Sequence, residues 1–234
     1  VKHEIGIEKP DYLIEDWPGK YDAFSWLEYV VTVPNPIVLI TTLKENGIPN
    51  ANLHSWNMML GQGDRYVSLL AVMGHMHTAA NILRTGEWCI NVPDYSHYPE
   101  AFETIYSNEA ETDEITNAGF TIEEARTIEA PRIAECLANL ECRLDWHRRL
   151  YEGSSWTLFC GTVQHVAIDE KAIAPDPEQR MRDMQLMYNI RSTVNPLNGE
   201  QYGPNTLGLI REVVKITSDD GMVKLWREQE RDTG

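Results

Sequence analysis

The chain has 234 residues and a mass of 26.8 kDa, 42% hydrophobic and 24% charged, a mixture that excludes whole-chain disorder and fibrous repeats. Twenty Lys and Arg against 36 Asp and Glu leave a net charge of −16. A field of that sign repels phosphate backbones and anionic lipid heads, so neither nucleic acid nor a membrane surface is an expected partner. No uncharged apolar run approaches the ~20 residues of a membrane-spanning helix, and the start Val1-Lys2-His3-Glu4 has no signal-peptide core, so a cytoplasmic address is expected.

Along the chain, Pro36 to Thr42 is a β-branched run bounded by prolines and predicts a strand. Lys44-Glu45-Asn46-Gly47 follows, and Asn-Gly is a strong hairpin signal. The returning strand, Pro49 to Asn57, is unusually polar. Tyr66 to Val72 and Glu87 to Val92 read as further strands. Between them, Thr78 to Arg84 has helical character, with Thr78 as the expected N-cap and Gly86 as the C-cap.

The acidic stretch from Pro99 to Ala118 predicts two short helices. From Glu100 to Glu124 the acids follow one another with no Lys or Arg between, as a solvated face does. Leu140 to Leu150 and Trp156 to Ile168 predict a long hairpin around Glu152-Gly153-Ser154. Pro177 to Ile190 predicts a helix, Ser192 to Thr206 a loop, and the rest a mixed segment. Cys89, Cys136, Cys142 and Cys160 form no CxxC pair and read as reduced thiols, small core residues for the most part. Strands without regular crossover helices predict a mainly β barrel with peripheral helices, a single domain over residues 1–234.

The chain contains no GxGxxG, phosphate-loop, HExxH or GxSxG motif, so the common nucleotide and hydrolase signatures are absent. His75 and His77 stand at i and i+2 and, with His54, could make a three-imidazole set. Solvated or hydrogen-bonded histidines are the plainer reading, because no carboxylate lies beside them, and no metal is expected. Asn50, Asn52, Ser55, Trp56 and Asn57 on one strand, with His77, Thr78 and Asn81 at a helix start, are more informative. Amides suit the donor–acceptor edge of a flat heteroaromatic ring such as isoalloxazine, an indole can cover it, and a helix N-terminus suits a phosphate. The same residues also fit a polar strand on a solvent face beside an ordinary capped helix.

The segment from Pro36 to Asn57 resembles the opening of the flavin reductase-like, flavoredoxin-type family, with its P-x-P strand, Asn-Gly hairpin and N-x-[TAN]-x-x-[ST]-W segment. The likeness continues through His77-Thr78, Asn81-Ile82 and Thr85 to Pro93, then Ala130 to Cys142 and Trp156 to Val163, covering about residues 30–170. It implies an FMN-binding split β-barrel, normally a homodimer with the cofactor near the subunit interface. It also implies electron transfer from NADH, NADPH or a partner protein, through FMN, to a small-molecule or protein acceptor.

By the same resemblance, Asn50, Asn52 and Trp56 match flavin-lining positions and Thr78 one near the phosphate end. No side chain is then required as a catalytic acid or base, and His54 and His77 are candidates for steering the second substrate. Two departures stand out: Glu114 where many members have Lys, and Trp156 where many have His. A carboxylate beside a phosphate would repel it unless Glu114 points away or an arginine (Arg84, Arg126 or Arg148) compensates, while Trp156 could stack on the ring. The alternative reading is a barrel that holds a flavin or other planar ligand without turnover, as carrier or sensor.

Overall fold

The computed structural model describes residues 2–203 and 205–212. After the short helix α1 (Lys20–Ala23) and a 3₁₀ turn (Trp26–Tyr29), the chain enters β1 (Asn35–Pro36), β2 (Val38–Leu43), β3 (Pro49–His54), β4 (Asn57–Gln62) and β5 (Arg65–Met73). Helix α2 (His77–Thr85), β6 (Glu87–Val92), α3 (Tyr98–Glu103), α4 (Glu114–Asn117), β7 (Ile122–Glu123) and β8 (Arg132–Ile133) follow. The long hairpin β9 (Ala138–Arg149) and β10 (Trp156–Ile168) precedes α5 (Pro177–Met184), β11 (Met187–Asn189) and β12 (Leu207–Leu209).

Seven strands form one antiparallel sheet in the order β3-β2-β6-β9-β10-β5-β4. Its two edges, β3 and β4, are consecutive in the chain and joined only by Ser55-Trp56. The sheet therefore rolls into a split barrel whose seam lies at that corner. Inside it, Val38, Ile40, Leu70, Val72, Trp88, Ile90 and Phe159 pack with Ala79 and Ile82 of α2. Each buried side chain of this size contributes about 1.5–3 kcal/mol by leaving water.

Strand β2 is buried on both faces, which is why its sequence is an unbroken apolar and threonine run. Val38 and Ile40 face the barrel, while Leu39 packs with Ala51, Ile115, Phe120 and Ile133 outside it. On β10, Gly161 is required by close approach: a Cβ there would lie 2.1 Å from the Trp88 ring and 2.6 Å from the Arg143 carbonyl oxygen. The register of β10 against β9 shifts between Cys160 and Gly161, as a β-bulge does.

Three segments differ from the sequence reading. Pro49 to Asn57 is not one strand, because the chain turns the barrel corner at Ser55-Trp56 and Asn57 opens β4. The helix from Pro177 stops at Met184: Gln185 takes a left-handed backbone (φ 42°), and Met187–Asn189 form β11, paired with β1 and β12. Helix α2 is capped not by Thr78 but by Met76, which has no side-chain cap.

The two short acidic helices, the β2–β3 hairpin with Gly47 at φ 80° and the β9–β10 hairpin lie where expected. All four cysteines are free and buried. The final mixed segment falls largely outside the described residues. Among those described, no helix is long and apolar enough to cross a membrane.

Candidate functional site

Strand β3 alternates two faces. Asn50, Asn52 and His54 lie opposite Thr42, Ile40 and Val38, while Ala51 and Leu53 turn to the outer apolar cluster. At one end, Asn50 Nδ2 donates to Thr78 Oγ1 at 3.3 Å and Asn81 Nδ2 donates to Thr42 Oγ1 at 2.9 Å. These bonds fix the start of α2 on the β2–β3 hairpin. Beside it lies a cleft of about 490 Å³ lined by Lys44, Asn46, His77, Ala80, Asn81 and Glu111 among others.

Further along the same face of β3 lie Asn52 and, at the strand's end, His54. Asn52 is buried and its side chain makes no hydrogen bond among the described residues. His54 is buried with Nε2 unpartnered, and at the start of α2 the Nδ1 of His77 is likewise buried and unpartnered. Burial pulls the His54 imidazole down to about 4, so it is neutral at physiological pH. Leaving such groups unpaired costs roughly 1–3 kcal/mol each, a cost that a bound polar ligand would remove.

At the corner, Trp56 stacks on Phe24 (centroids 5.6 Å apart, planes 11° apart) and meets Trp156 edge-on at 4.8 Å. The guanidinium of Arg191 lies 4.4 Å from the Trp56 ring centroid and 4.2 Å from that of Phe24. Trp156 Nε1 donates to the Ala23 carbonyl, which fastens the N-terminal segment to β10. Ser55 Oγ accepts from Asn189 Nδ2 at 2.9 Å.

Asn57 departs from this set. Its Oδ1 accepts from Ser68 Oγ at 2.7 Å, and it lines an apolar cavity of about 350 Å³ with Met58, Met59 and Ile90. The expected residues thus fall into a group at the start of α2 (Asn50, His77, Thr78, Asn81), Asn52 and His54 further along the same face of β3, a group at the corner (Ser55, Trp56, Trp156), and Asn57 in the barrel. His75 is exposed, and no group of three His, Cys, Asp or Glu among the described residues is placed to hold a metal ion.

Glu114 is buried and its Oε1 accepts from Lys44 Nζ at 2.7 Å. Lys44 also donates to the carbonyls of Glu109 (3.0 Å) and Thr112 (2.5 Å). The carboxylate that looked misplaced is therefore neutralised by a lysine from the β2–β3 turn. Sequence reasoning did not single out Lys44, which reads as an ordinary turn residue. It also passed over Phe24, Glu28, Asn189 and Arg191. For the N-terminal residues a signal existed: Tyr12, Trp17, Tyr21, Phe24, Trp26 and Tyr29 are too aromatic for a free arm. Asn189 and Arg191 carried no such signal.

A family model described as "Flavin reductase like domain" matches residues 30–194. The chain belongs to the flavin reductase-like family. This places it among flavin-related oxidoreductases. An uncharacterised protein of Methanothermobacter thermautotrophicus is 28% identical over 146 residues, covering 62% of this chain and 68% of the relative. The fold is shared with nitrilotriacetate monooxygenase component B from Bacillus cereus, with a TM-score of 0.69 at 17% identity over 87% of this chain and 98% of that one. It is shared too with flavoredoxin of Desulfovibrio vulgaris (Miyazaki F), with a TM-score of 0.64 at 17% identity over 82% and 94% of the two chains.

Proposed function

We propose that this family member is an FMN-dependent oxidoreductase, taking electrons from NADH or NADPH and passing them to a small-molecule or protein acceptor. The observation that carries the reading is the pair of buried, unpartnered ring nitrogens, His54 Nε2 on β3 and His77 Nδ1 at the start of α2, with the Asn52 amide on the same face of β3 as His54. Such groups fit a ligand with alternating donors and acceptors at its edge. When bound, FMN supplies a two-electron carrier between a hydride donor and the acceptor.

The chain's own residues bind and orient. Asn50, Asn52 and Asn81 offer amides, and the first amides of α2 with Thr78 favour an anionic end. Trp56 and Trp156 wall the corner against water. Neutral His54 offers a hydrogen bond without bringing a charge into the barrel. Glu114 is held by Lys44, which leaves Glu45 and Glu111 as the carboxylates lining the cleft beside the start of α2.

The site is proposed to form in a homodimer. A row of side chains crosses four adjacent strands in register, Met58 to Leu69 to Cys160 to Trp146, and its ends are exposed at 54% for Met58 and 42% for Trp146. Exposed apolar side chains at both ends of one row favour burial by a second copy. The activity is tested by adding FMN to the purified protein and following NADH and NADPH absorbance with and without an acceptor. Flavin-dependent oxidation of either is the expected result; retention of FMN with no oxidation of either would leave a carrier or sensor.

A further inference from the structure

Where β2 begins and β6 ends, the barrel opens into a cavity of about 350 Å³. Its wall is largely aliphatic, with Val38, Ile90, Val92 and Leu140 from the barrel strands and Met187 from β11. No charged side chain lines it, and it shares no lining residue with the cleft at the start of α2 or with the aromatic corner. Close-packed interiors leave few voids larger than a water molecule, so a space of this size stands out.

One amide is set into that wall. Asn57 opens β4 opposite Leu70, on the face that looks into the barrel, and is only 8% exposed. Its Oδ1 accepts from the fully buried Ser68 Oγ at 2.7 Å, which fixes the plane of the amide. Its Nδ2 makes no hydrogen bond among the described residues. Tyr188 is the one other polar side chain in the described lining. A buried water needs about three polar partners, so water is poorly held against this wall.

We propose that the cavity binds a small, uncharged, apolar ring compound carrying one hydrogen-bond acceptor, such as an aryl ketone. The ring lies against the aliphatic wall, and the carbonyl oxygen accepts from Asn57 Nδ2. An apolar cavity of about 150 Å³ already takes up benzene, so there is room here for a substituted ring. A carboxylate would have to leave water with no cation to meet it. Such binding is independent of the proposed flavin chemistry.

The test is a ligand-observed NMR titration of the full chain with three molecules of one shape: acetophenone, α-methylstyrene (a CH₂ in place of the carbonyl oxygen) and benzoate. The first two should saturate a single site, and benzoate should bind at least about tenfold more weakly than acetophenone. Acetophenone should move the Asn57 side-chain amide protons downfield in a ¹⁵N–¹H spectrum, and α-methylstyrene should not. Asn57→Leu with Ser68→Ala removes the amide together with its buried partner. It should weaken acetophenone about fivefold relative to α-methylstyrene, the factor one neutral hydrogen bond is worth. Because the comparison is a ratio within one sample, a loss of folded protein cancels; should the variant not fold, the native amide shift still decides.

An unchanged ratio in the folded variant would overturn the proposal, as would an Asn57 amide that acetophenone leaves unmoved. So would benzoate binding as tightly as acetophenone, or the absence of saturable binding, the result expected if a second copy of the chain plugs the cavity. Added FMN should leave acetophenone binding unchanged; competition between the two would put the probe in the flavin site and contradict a separate cavity. A chain that binds acetophenone at Asn57 yet fails to hold FMN would refute the proposed function and leave this site standing.

Discussion

Lys44 and Glu114 are 70 residues apart in sequence and 2.7 Å apart in the fold, both nearly sealed from water. Breaking such a pair on one side strands a buried charge, at a cost of about 3–5 kcal/mol, whereas removing both charges together is far milder. Lys44→Met should therefore lower the unfolding midpoint sharply in urea melts, and Lys44→Met with Glu114→Leu should recover most of the loss. Equal losses in the single and double variants would contradict the pairing.

His54 makes a second prediction at this scale. Its folded value, about 4, lies below the ordinary 6.5, so its contribution to stability is full above pH 6.5. That contribution is lost as pH falls from 6.5 towards 4, because the unfolded chain takes up the proton first. The loss amounts to about 3 kcal/mol. Glu141 adds to it only at lower pH. Burial pushes its carboxyl up, but hydrogen bonds from Thr127, Arg126 and Arg132 outweigh that and hold it at about 2. In melts between pH 7.5 and pH 4.5 the native protein should lose stability relative to His54→Leu as acid is added; parallel curves would refute the assignment.

Among elements, β2, β6, α2 and the β9–β10 hairpin were legible because their signals are local: β-branched runs, a terminal glycine, a Gly-centred turn. The corner between β3 and β4 was not, since Ser55-Trp56 carries no glycine or proline and bends only because the barrel must close there. Strand β11 was hidden for a related reason. Its three residues extend a helical pattern and become a strand by pairing with β1, far away in sequence. The polar residues of the site were legible as residue types. Their division between the start of α2 and the corner was not, because the corner decides it. Gly161 offers a test at this scale. Gly161→Ala would push Trp88 and the Arg143 backbone apart, and overpacking of this kind costs about 1–3 kcal/mol. A thermal melt as high as that of the native protein would show that the bulge tolerates a side chain.

At the scale of the whole molecule, much of the aromatic content is spent internally, with Phe24, Trp56 and Trp156 packed together and Tyr21 against Tyr29. The case for a dimer then rests on the exposed ends of the four-strand row. Light scattering should give twice the chain mass, and Met58→Glu with Trp146→Glu should give a folded monomer; a native monomer would remove the interface. The central claim, that this barrel holds FMN, is tested most directly by the visible absorption spectrum of the purified protein after excess FMN has been added and removed by desalting. The account predicts flavin bands retained in proportion to the chain. A colourless protein would contradict it.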